Sequence, residues 1–244
     1  MNRATQFRNH FSRYDEIPLK EIYDYFHEQE NLNDDNIKVL LSRWTARNIL
    51  FRVKKGIYKL ADKGYVPFRL SSDKLQKQMA ELFCEQYPEL KYSVWNTGAL
   101  NRLTTHQHFN SFYVFETDAD ILESVFYMFK EWNLDVFMLY DGDILQRYMY
   151  NVENPIVIKR LVSRSPLVRN DGVLHPALEK VLVDICSDRT LFDFVQGTEL
   201  GNIYANALRS YVVNITKLLS YADRRKIRPE IESIIMPFVT KSKI

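Results

Sequence analysis

The chain is poor in cysteine, glycine and proline, and these shortages exclude several classes of protein. Its two cysteines, Cys84 and Cys186, lie far apart in the 244 residues, each within an apolar pattern typical of a helix. They form neither a zinc-ligand motif nor a disulfide framework. Seven glycines and eight prolines, without repeats or low-complexity tracts, are not the composition of a long disordered tail. We therefore expect a folded protein from a reducing compartment.

Long uncharged apolar runs are also absent from the sequence. No segment approaches the roughly 20 apolar residues that a membrane-spanning helix needs. The N-terminal segment MNRATQFRNHFSRYDEI lacks the apolar core of a signal peptide. Glycine-rich phosphate loops and the G-x-S-x-G nucleophile motif are missing too. The sequence therefore predicts a soluble cytoplasmic protein without a membrane partner.

The charge of the whole chain is nearly balanced, so any basic surface has to be local. The formal net charge is +2, and 46% of the residues are hydrophobic, enough for one large core or two small ones. Between Asn36 and Lys63 there is one acid, Asp62, against eight cations: Lys38, Arg43, Arg47, Arg52, Lys54, Lys55, Lys59 and Lys63. This stretch is the best candidate for a surface that binds an anionic partner.

A helix is predicted to begin near Asp34. Asn33 is a favourable N-cap, and Asp34 and Asp35 place carboxylates in the first turn. An apolar stripe at i, i+3, i+4 and i+7 then faces a core: Ile37, Leu40, Leu41 and Trp44. The other face of the helix carries Lys38, Ser42, Arg43, Thr45 and Ala46, with Arg47 near its edge.

A short basic hairpin follows this helix. Phe51-Arg52-Val53-Lys54 alternates apolar with basic residues, Lys55-Gly56 supplies a turn, and Ile57-Tyr58-Lys59-Leu60 returns as a second strand. Two amphipathic helices precede it, one marked by Ala4, Phe7 and Phe11 and one opened by Pro18. Three helices closed by a hairpin are the pattern of a winged helix-turn-helix. We predict that residues 1–65 form such a domain.

Residues 66–244 show another pattern, in which short apolar strands alternate with helices. The predicted strands are Tyr92–Trp95, Phe112–Phe115, Val136–Leu139 and Ile156–Ile158, and two more flank the turn Asn170-Asp171-Gly172. One helix is predicted from about Asp73 to Glu85, and a capping-box pattern at Thr117–Asp120 predicts another through Trp132. From Pro176 onward one helical stripe comprises Ala177, Val181, Leu182 and Ile185, and a second comprises Leu208, Val212, Ile215, Leu218 and Leu219. We expect an α/β domain with a helical C-terminal part, and hence a mixed α+β and α/β chain.

The predicted third helix and hairpin carry the residue types with which winged helices bind DNA. The helix fits the major groove, and the hairpin reaches neighbouring phosphates. The candidate contacts are Lys38, Ser42, Arg43, Thr45 and Arg47 on the helix and Arg52, Lys54, Lys55 and Lys59 on the hairpin. The alternative, a winged helix that binds another protein and keeps its cations in solvent, stays open.

Several stretches resemble a known family. IPLKEIYDYF, then the third helix and RVKKGIYKLA, resembles the N-terminal winged helix of the AbiEi family, antitoxins and transcriptional regulators of type IV toxin–antitoxin systems. YSVWNTGALNRLT and FYVFETDADILESVF resemble the α/β C-terminal region of that family, whereas the helical tail from Pro176 matches no part of its antitoxic region. The resemblance implies a repressor that binds inverted repeats upstream of its own operon. It also implies an antitoxin that counters a nucleotidyltransferase-class toxin, largely without forming a stable complex with it.

Enzymatic alternatives rest on less specific patterns. Asp141-Gly142-Asp143 is a D-x-D that could hold a divalent metal in a nucleotide-handling enzyme, although Asp-Gly is also an ordinary turn. His106 and His108 could be two metal ligands, but the sequence offers no third ligand nearby. We expect neither enzymatic activity nor a metal or cofactor.

Two further charged groups have ordinary explanations. Glu179 and Lys180 follow Pro176 on a predicted helix and lack the spacing of a nuclease strand. The C-terminal cluster of Arg224, Arg225, Lys226 and Arg228 is either a solvated helix end or an additional phosphate contact.

Overall fold

Helices and small sheets make up both units of the chain, which is a mixed α+β protein. The computed structural model describes residues 2–47, 49–61, 66–106, 111–139 and 152–239. One unit comprises Met1–Phe68 and Ala207–Thr216, and the other comprises Arg69–Asn206 and Lys217–Ile244. The first unit is therefore discontinuous in sequence.

The first unit begins with three helices, α1 (Arg3–His10), α2 (Leu19–Glu30) and α3 (Asp34–Ala46). α3 begins where the sequence predicts, because the Asn33 side chain accepts a hydrogen bond of 2.9 Å from the backbone N–H of Asn36. Asn31 ends α2 in the left-handed region, at a φ of 50°, and so turns the chain between the two helices.

The first unit also contains a three-stranded antiparallel sheet. β1 (Ile17–Pro18), β2 (Leu50–Lys54) and β3 (Ile57–Leu60) lie in the order β1-β3-β2. The β2–β3 hairpin is the predicted one, and Gly56 supplies the φ of 76° that its turn requires. A bulge between Arg52 and Lys54 interrupts the pairing. The sequence does not predict β1, because its two residues are too few to show a pattern.

An aromatic core joins the helices of the first unit. Phe7 and Phe26 stack with ring centroids 5.5 Å apart, and the Trp44 ring meets Phe7 edge-on at 4.9 Å. Ile37 and Leu41 of the predicted α3 stripe are also buried, together with Trp44. The stripe therefore faces the core as predicted, and the opposite face of α3 is left to solvent.

A four-stranded mixed sheet forms the core of the second unit. β4 (Ser93–Asn96), β5 (Tyr113–Thr117), β6 (Val136–Met138) and β7 (Ile156–Arg160) lie in the order β4-β5-β7-β6. β4 is antiparallel to β5, whereas β5, β7 and β6 are parallel, so their carboxyl ends share one edge of the sheet. β5 is buried throughout and β7 up to its last residue, which explains why both read as continuous apolar runs.

Helix α4 and a hairpin lie on either side of this sheet's strands in the sequence. α4 (Lys74–Gln86) starts at a capping box, in which Asp73 and Gln76 each accept a backbone N–H of the other. Met79 and Phe83 of α4 pack in the same core as Phe115 of β5. β8 (Leu167–Asn170) and β9 (Val173–Pro176) form the hairpin predicted around the Asp171-Gly172 turn.

The segment after β5 differs from its prediction. Thr117 still pairs with Arg160 in the sheet, and its hydroxyl donates to the Lys91 carbonyl at 3.2 Å, so it does not cap a helix. Asp118 instead accepts the backbone N–H of Asp120 at 3.3 Å and opens a short 3₁₀ turn, Ala119–Ile121. The α-helix that follows is α5 (Leu122–Glu131). The predicted capping box at Thr117 is therefore wrong.

In the described part of the chain after β9 there are four α-helices: α6 (Leu178–Ser187), α7 (Thr198–Ser210), α8 (Ile215–Arg224) and α9 (Arg228–Val239). α6 is buried from Leu178 to Cys186, including its charged residues. The second predicted helical stripe, Leu208 to Leu219, is wrong as a single element because residues 211–214 separate α7 from α8. None of the helices described here is both long enough and apolar enough to cross a membrane.

Replacing Phe7 with alanine should destabilise the first unit by roughly 3–5 kcal/mol, since it empties a fully buried site among four aromatic rings. Urea denaturation followed by tryptophan fluorescence measures the change. Val39→Ala on the solvent face of α3, where Val39 is 49% exposed, is the control and should change stability by less than about 0.5 kcal/mol. Equal effects of the two substitutions would contradict the assignment of Phe7 to the core.

Candidate functional site

The solvent face of α3 presents the helix residues that the sequence selects as DNA contacts. All of them are exposed: Lys38, Ser42, Arg43, Thr45 and Arg47. The 3.6-residue period separates them from the buried stripe. The Thr45 hydroxyl is already engaged, because it donates to the Leu41 carbonyl at 2.7 Å. The other side chains are accessible to an external partner.

The cations of α3 differ in whether an acid already neutralises them. Lys38 Nζ lies 2.9 Å from Asp35 Oδ1, and this hydrogen bond, with the Asp35 charge, raises the pKa of Lys38. Arg43 and Arg47 form no ion pair with any residue that the structure describes. The two arginines are therefore the cations of this helix whose charge is uncompensated.

The β2–β3 hairpin shows the same division. Glu16 lies between two of its lysines, 3.7 Å from Lys54 Nζ and 3.8 Å from Lys59 Nζ. Arg52 and Lys55 are exposed and make no ion pair within the described ranges. Two of the four hairpin cations that the sequence selects, Lys54 and Lys59, are thus already near an acidic residue of the same chain.

Of the cations that the sequence selects as DNA contacts, four make no ion pair with a described residue. We call them the free cations: Arg43, Arg47, Arg52 and Lys55. The turn that carries Lys55 is anchored, because its backbone N–H donates to Thr216 Oγ1 at 3.1 Å. At the other end of the surface, Asp34 and Asp35 occupy the first turn of α3. Among the selected cations, those without an ion pair therefore lie at the C-terminal end of α3 and on the hairpin.

Val39 belongs to the same surface, although the sequence analysis did not select it. It is 49% exposed and precedes Arg43 by four positions, so the two side chains are neighbours on the helix. Val39 is apolar and so is not among the predicted cationic contacts. Its position outside the buried stripe at i, i+3, i+4 and i+7 nevertheless indicates in the sequence that it faces solvent. An apolar side chain beside an arginine is a combination that can contact a thymine methyl group next to a guanine.

A second candidate site is a group of six charged side chains in the second unit, which we call the charge cluster. It comprises Glu116 on β5, Lys159 on β7, Lys180, Asp184 and Asp188 on or directly after α6, and Arg225 directly after α8. Three carboxylates balance three cations. The sequence singled out only Lys180 and Arg225 among these residues.

Lys180 is the centre of the charge cluster. Its side chain is fully buried, and its Nζ lies 2.8 Å from Glu116 Oε1 and in contact with Asp184. The Tyr221 hydroxyl donates to the other Asp184 oxygen, Oδ1, at 2.8 Å. Lys159 Nζ lies 3.5 Å from the same oxygen of Glu116. Each buried charge therefore faces an opposite one, as a dry interior requires.

Asp188 and Arg225 complete the charge cluster at its more exposed side. Asp188 contacts both Lys159 and Arg225. Arg225 also donates from Nε to Ser187 Oγ at 3.0 Å. Because every member is engaged by an opposite charge, the charge cluster is suited to fixing structure rather than to acid–base catalysis.

The neighbours of Arg225 are also engaged within the second unit. Arg224 Nη1 donates to Ser163 Oγ at 3.2 Å. Arg228 lies 2.7 Å from Asp223 and 2.7 Å from Glu232. For Arg224 and Arg228, which are exposed, these partners favour the solvated helix end over a phosphate contact.

Opposite charges outweigh burial in setting the protonation of the charge cluster. Burial alone would raise the pKa of Asp184, but Lys180, Lys159 and Arg225 together lower it below its ordinary value of 3.8. Burial alone would lower the pKa of Lys159, but the surrounding carboxylates, Asp184 first, raise it to about 12. Asp184 and Lys159 are therefore both ionised at neutral pH.

Most of the candidate metal ligands that the sequence offers fall outside the described residues. Asp141, Asp143 and His108 lie outside the residues that the structure describes. Glu179 and Lys180 lie on α6, as expected, and both are buried. Within the described ranges, no group of three or more His, Cys, Asp and Glu side chains could hold a metal ion.

Comparison with known proteins gives one assignment. The model of a family of unknown function, DUF6577, matches residues 36–241, which is most of the chain. The chain belongs to the DUF6577 family. The match begins inside α3, so the free cations and the charge cluster of this DUF6577 protein all lie within it. No curated protein and no solved structure matches the chain.

Acid should destabilise the second unit of the DUF6577 protein through Asp184. Because the pKa of Asp184 is lower in the folded state than its ordinary 3.8, its carboxylate stabilises the fold above that pH. The stabilisation is lost as the pH falls from there through the folded pKa. Asp184→Asn should cost roughly 3 kcal/mol or more at neutral pH, because buried cations lose a partner, and should flatten the acid dependence of Tm.

Thermal unfolding followed by circular dichroism between neutral pH and pH 3 measures both effects. Asp193→Asn makes the same chemical change at an exposed position and should keep the wild-type Tm and its acid dependence. If Asp184→Asn instead retained the wild-type Tm at neutral pH, the charge cluster would not be the stabilising element described here.

Proposed function

We propose that the first unit is a winged helix-turn-helix domain and that the protein uses it to bind double-stranded DNA sequence-specifically. The free cations on α3 and the hairpin are the observation that carries this proposal. The element order α1-β1-α2-α3-β2-β3, with β1 paired to β3, supports it. With 13 residues, α3 is about 20 Å long, enough to lie in a major groove about 12 Å wide.

In this proposal the C-terminal half of α3 reads the bases. Arg43 supplies two parallel donors that suit O6 and N7 of guanine, and Val39 supplies an apolar contact for a thymine methyl group. Ser42 can donate to a base or a phosphate. Asp34 and Asp35 repel phosphates, so the first turn of α3 stays away from the DNA backbone.

The hairpin supplies affinity rather than sequence choice. Arg52 and Lys55 neutralise phosphates and release counterions, which makes binding weaken as the salt concentration rises. Lys54 and Lys59 contribute less, because each has first to leave Glu16.

We further propose that the protein represses its own operon and acts as the antitoxin against a nucleotidyltransferase-class toxin. The support is the resemblance of IPLKEIYDYF, RVKKGIYKLA and YSVWNTGALNRLT to the AbiEi family. Two copies would bind the inverted repeats of an operator, each with one α3 in the major groove. The antitoxic action itself requires no stable complex with the toxin.

A protein-interaction adaptor is the competing role for the first unit. The pairing of Lys38, Lys54 and Lys59 with acids of the same chain favours it, because this pairing lowers the positive potential of the surface. Binding to DNA decides between the two roles.

A fluorescence-anisotropy titration of the full chain should show tighter binding to the DNA upstream of its own gene than to scrambled DNA. Arg43→Ala should weaken binding to the upstream DNA by about 1–3 kcal/mol, because a bidentate base contact is lost, and should leave scrambled DNA nearly unaffected. Lys55→Ala should weaken binding to both DNAs. It should also reduce the slope of the logarithm of the binding constant against the logarithm of the salt concentration by about one, the equivalent of one counterion released.

Two matched variants control for charge. Lys38→Ala removes a cation of the same helix that Asp35 already neutralises, so its effect should be smaller than that of Arg43→Ala. Lys77→Ala removes an exposed cation from α4 of the second unit and should change neither binding curve. Weak and equal binding to both DNAs, unchanged by Arg43→Ala and Lys55→Ala, would refute DNA recognition and favour the adaptor.

Co-expression with a neighbouring nucleotidyltransferase-type toxin should restore the growth that the toxin arrests. Arg43→Ala should release a reporter gene placed behind the upstream DNA yet still restore growth, because repression uses α3 and protection does not. If the wild-type protein repressed the reporter without restoring growth, the antitoxin role would be refuted while DNA binding stood.

A further inference from the structure

A cavity of about 240 Å³ opens at the edge of the second unit's sheet. One side of it is apolar and consists of Leu122 at the start of α5, Met138 and Leu139 at the end of β6, and Ile158 of β7. The parallel strands β6 and β7 end here, and α5 begins here. In sheets with parallel strands, ligands bind beyond the carboxyl ends of the strands, so the position of this cavity is that of a binding site.

The other side of the cavity is charged. Lys159 and Arg160 at the end of β7, Asp188 after α6 and Arg225 after α8 line it. Among the described residues that line the cavity, three cations therefore face one carboxylate. Asp188 contacts Lys159 and Arg225 and so holds both cations at the wall of the cavity.

Two of the cavity's cations have donors to spare. The side chain of Arg160, an exposed residue, forms no hydrogen bond or ion pair with a residue that the structure describes. Arg225 uses Nε and Nη2 for Ser187 and Asp188, and its Nη1 has no partner in the described part of the chain. Guanidinium groups present planar pairs of N–H donors that match the oxygens of a phosphate or a carboxylate.

We propose that this cavity binds a small organic oxyanion, with a phosphate or carboxylate group on Arg160 and Arg225 and an apolar body against Leu122, Met138 and Leu139. Lys159 also lines the cavity, with its charge matched by the carboxylates of the charge cluster. The oxyanion does not need to displace Asp188, because the free donors lie on Arg160 and on Nη1 of Arg225.

The size of the cavity limits the ligand. At ~30 Å³ for each water of the liquid, 240 Å³ corresponds to about eight waters, hence to a molecule of roughly ten non-hydrogen atoms. A bare phosphate would leave the apolar side of the cavity wet, whereas an aromatic or branched aliphatic body would cover it. The site is independent of the proposed DNA contact, because all of its residues belong to the second unit.

Isothermal titration of the full chain with four probes tests the site: phenyl phosphate, benzoate, inorganic phosphate and the uncharged benzyl alcohol. We expect phenyl phosphate or benzoate to bind more tightly than both inorganic phosphate and benzyl alcohol. A preference between the two organic oxyanions in either direction supports the site and identifies the group that it recognises. Arg160→Gln should weaken this binding roughly tenfold or more, because the exposed guanidinium donates directly to the ligand.

Arg164→Gln is the matched control, since Arg164 is an exposed arginine four positions further on that does not line the cavity. It should bind as the wild type does. The proposal is overturned if no organic oxyanion binds at millimolar concentration, or if Arg160→Gln binds as tightly as the wild type. Binding of phenyl phosphate and benzoate no tighter than that of inorganic phosphate also overturns it, because the apolar wall would then contribute nothing.

Discussion

The burial of the Lys180 ammonium is the constraint on which much of the second unit depends. An isolated buried cation costs several kcal/mol, so Glu116 and Asp184 have to lie beside it. Their positions in turn require Lys159 and Tyr221, and the chain of partners ends at Asp188 and Arg225. A single ammonium therefore ties two strands of the sheet to α6 and α8.

The same constraint fixes the register of the sheet. Glu116 and Lys159 are partners in the parallel pairing of β5 with β7, and both point toward Lys180 or its carboxylates. A one-residue shift of either strand would move its own charged side chain to the opposite face of the sheet and separate it from its partners. The charge cluster therefore constrains the register in addition to apolar burial, because its opposite charges meet in the observed pairing. Stability comes chiefly from apolar burial, and the charge cluster selects among the alternatives.

Local sequence patterns were sufficient to predict most helices and strands. They could not predict contacts between residues that lie far apart in the sequence. Asn33 and the α3 stripe predict that helix because the cap and the apolar period are local. β1 escapes prediction because it exists through pairing with β3, far along the chain. The charge cluster escapes too, since charged residues are normally placed in solvent. A signal was present: Lys180 and Asp184 lie four positions apart on a helix that is otherwise mostly apolar. For the proposed DNA contacts, the sequence is enough to select the candidate residues on α3 and the hairpin. Only the structure distinguishes the free cations from the lysines that form ion pairs with Glu16 and Asp35.

The discontinuity of the first unit has a consequence for how the gene can change. Residues 207–216 belong to this unit, where Tyr211 bridges Val66 and Thr216 accepts the backbone N–H of Lys55. A recombination event that moved residues 1–68 into another reading frame would leave this segment behind, along with the partners of those backbone groups. The N-terminal unit is thus not a cassette that can be shuffled by a single crossover. A transfer that kept the first unit whole would also carry residues 69–206, which form most of the second unit and lie between the two segments of the first.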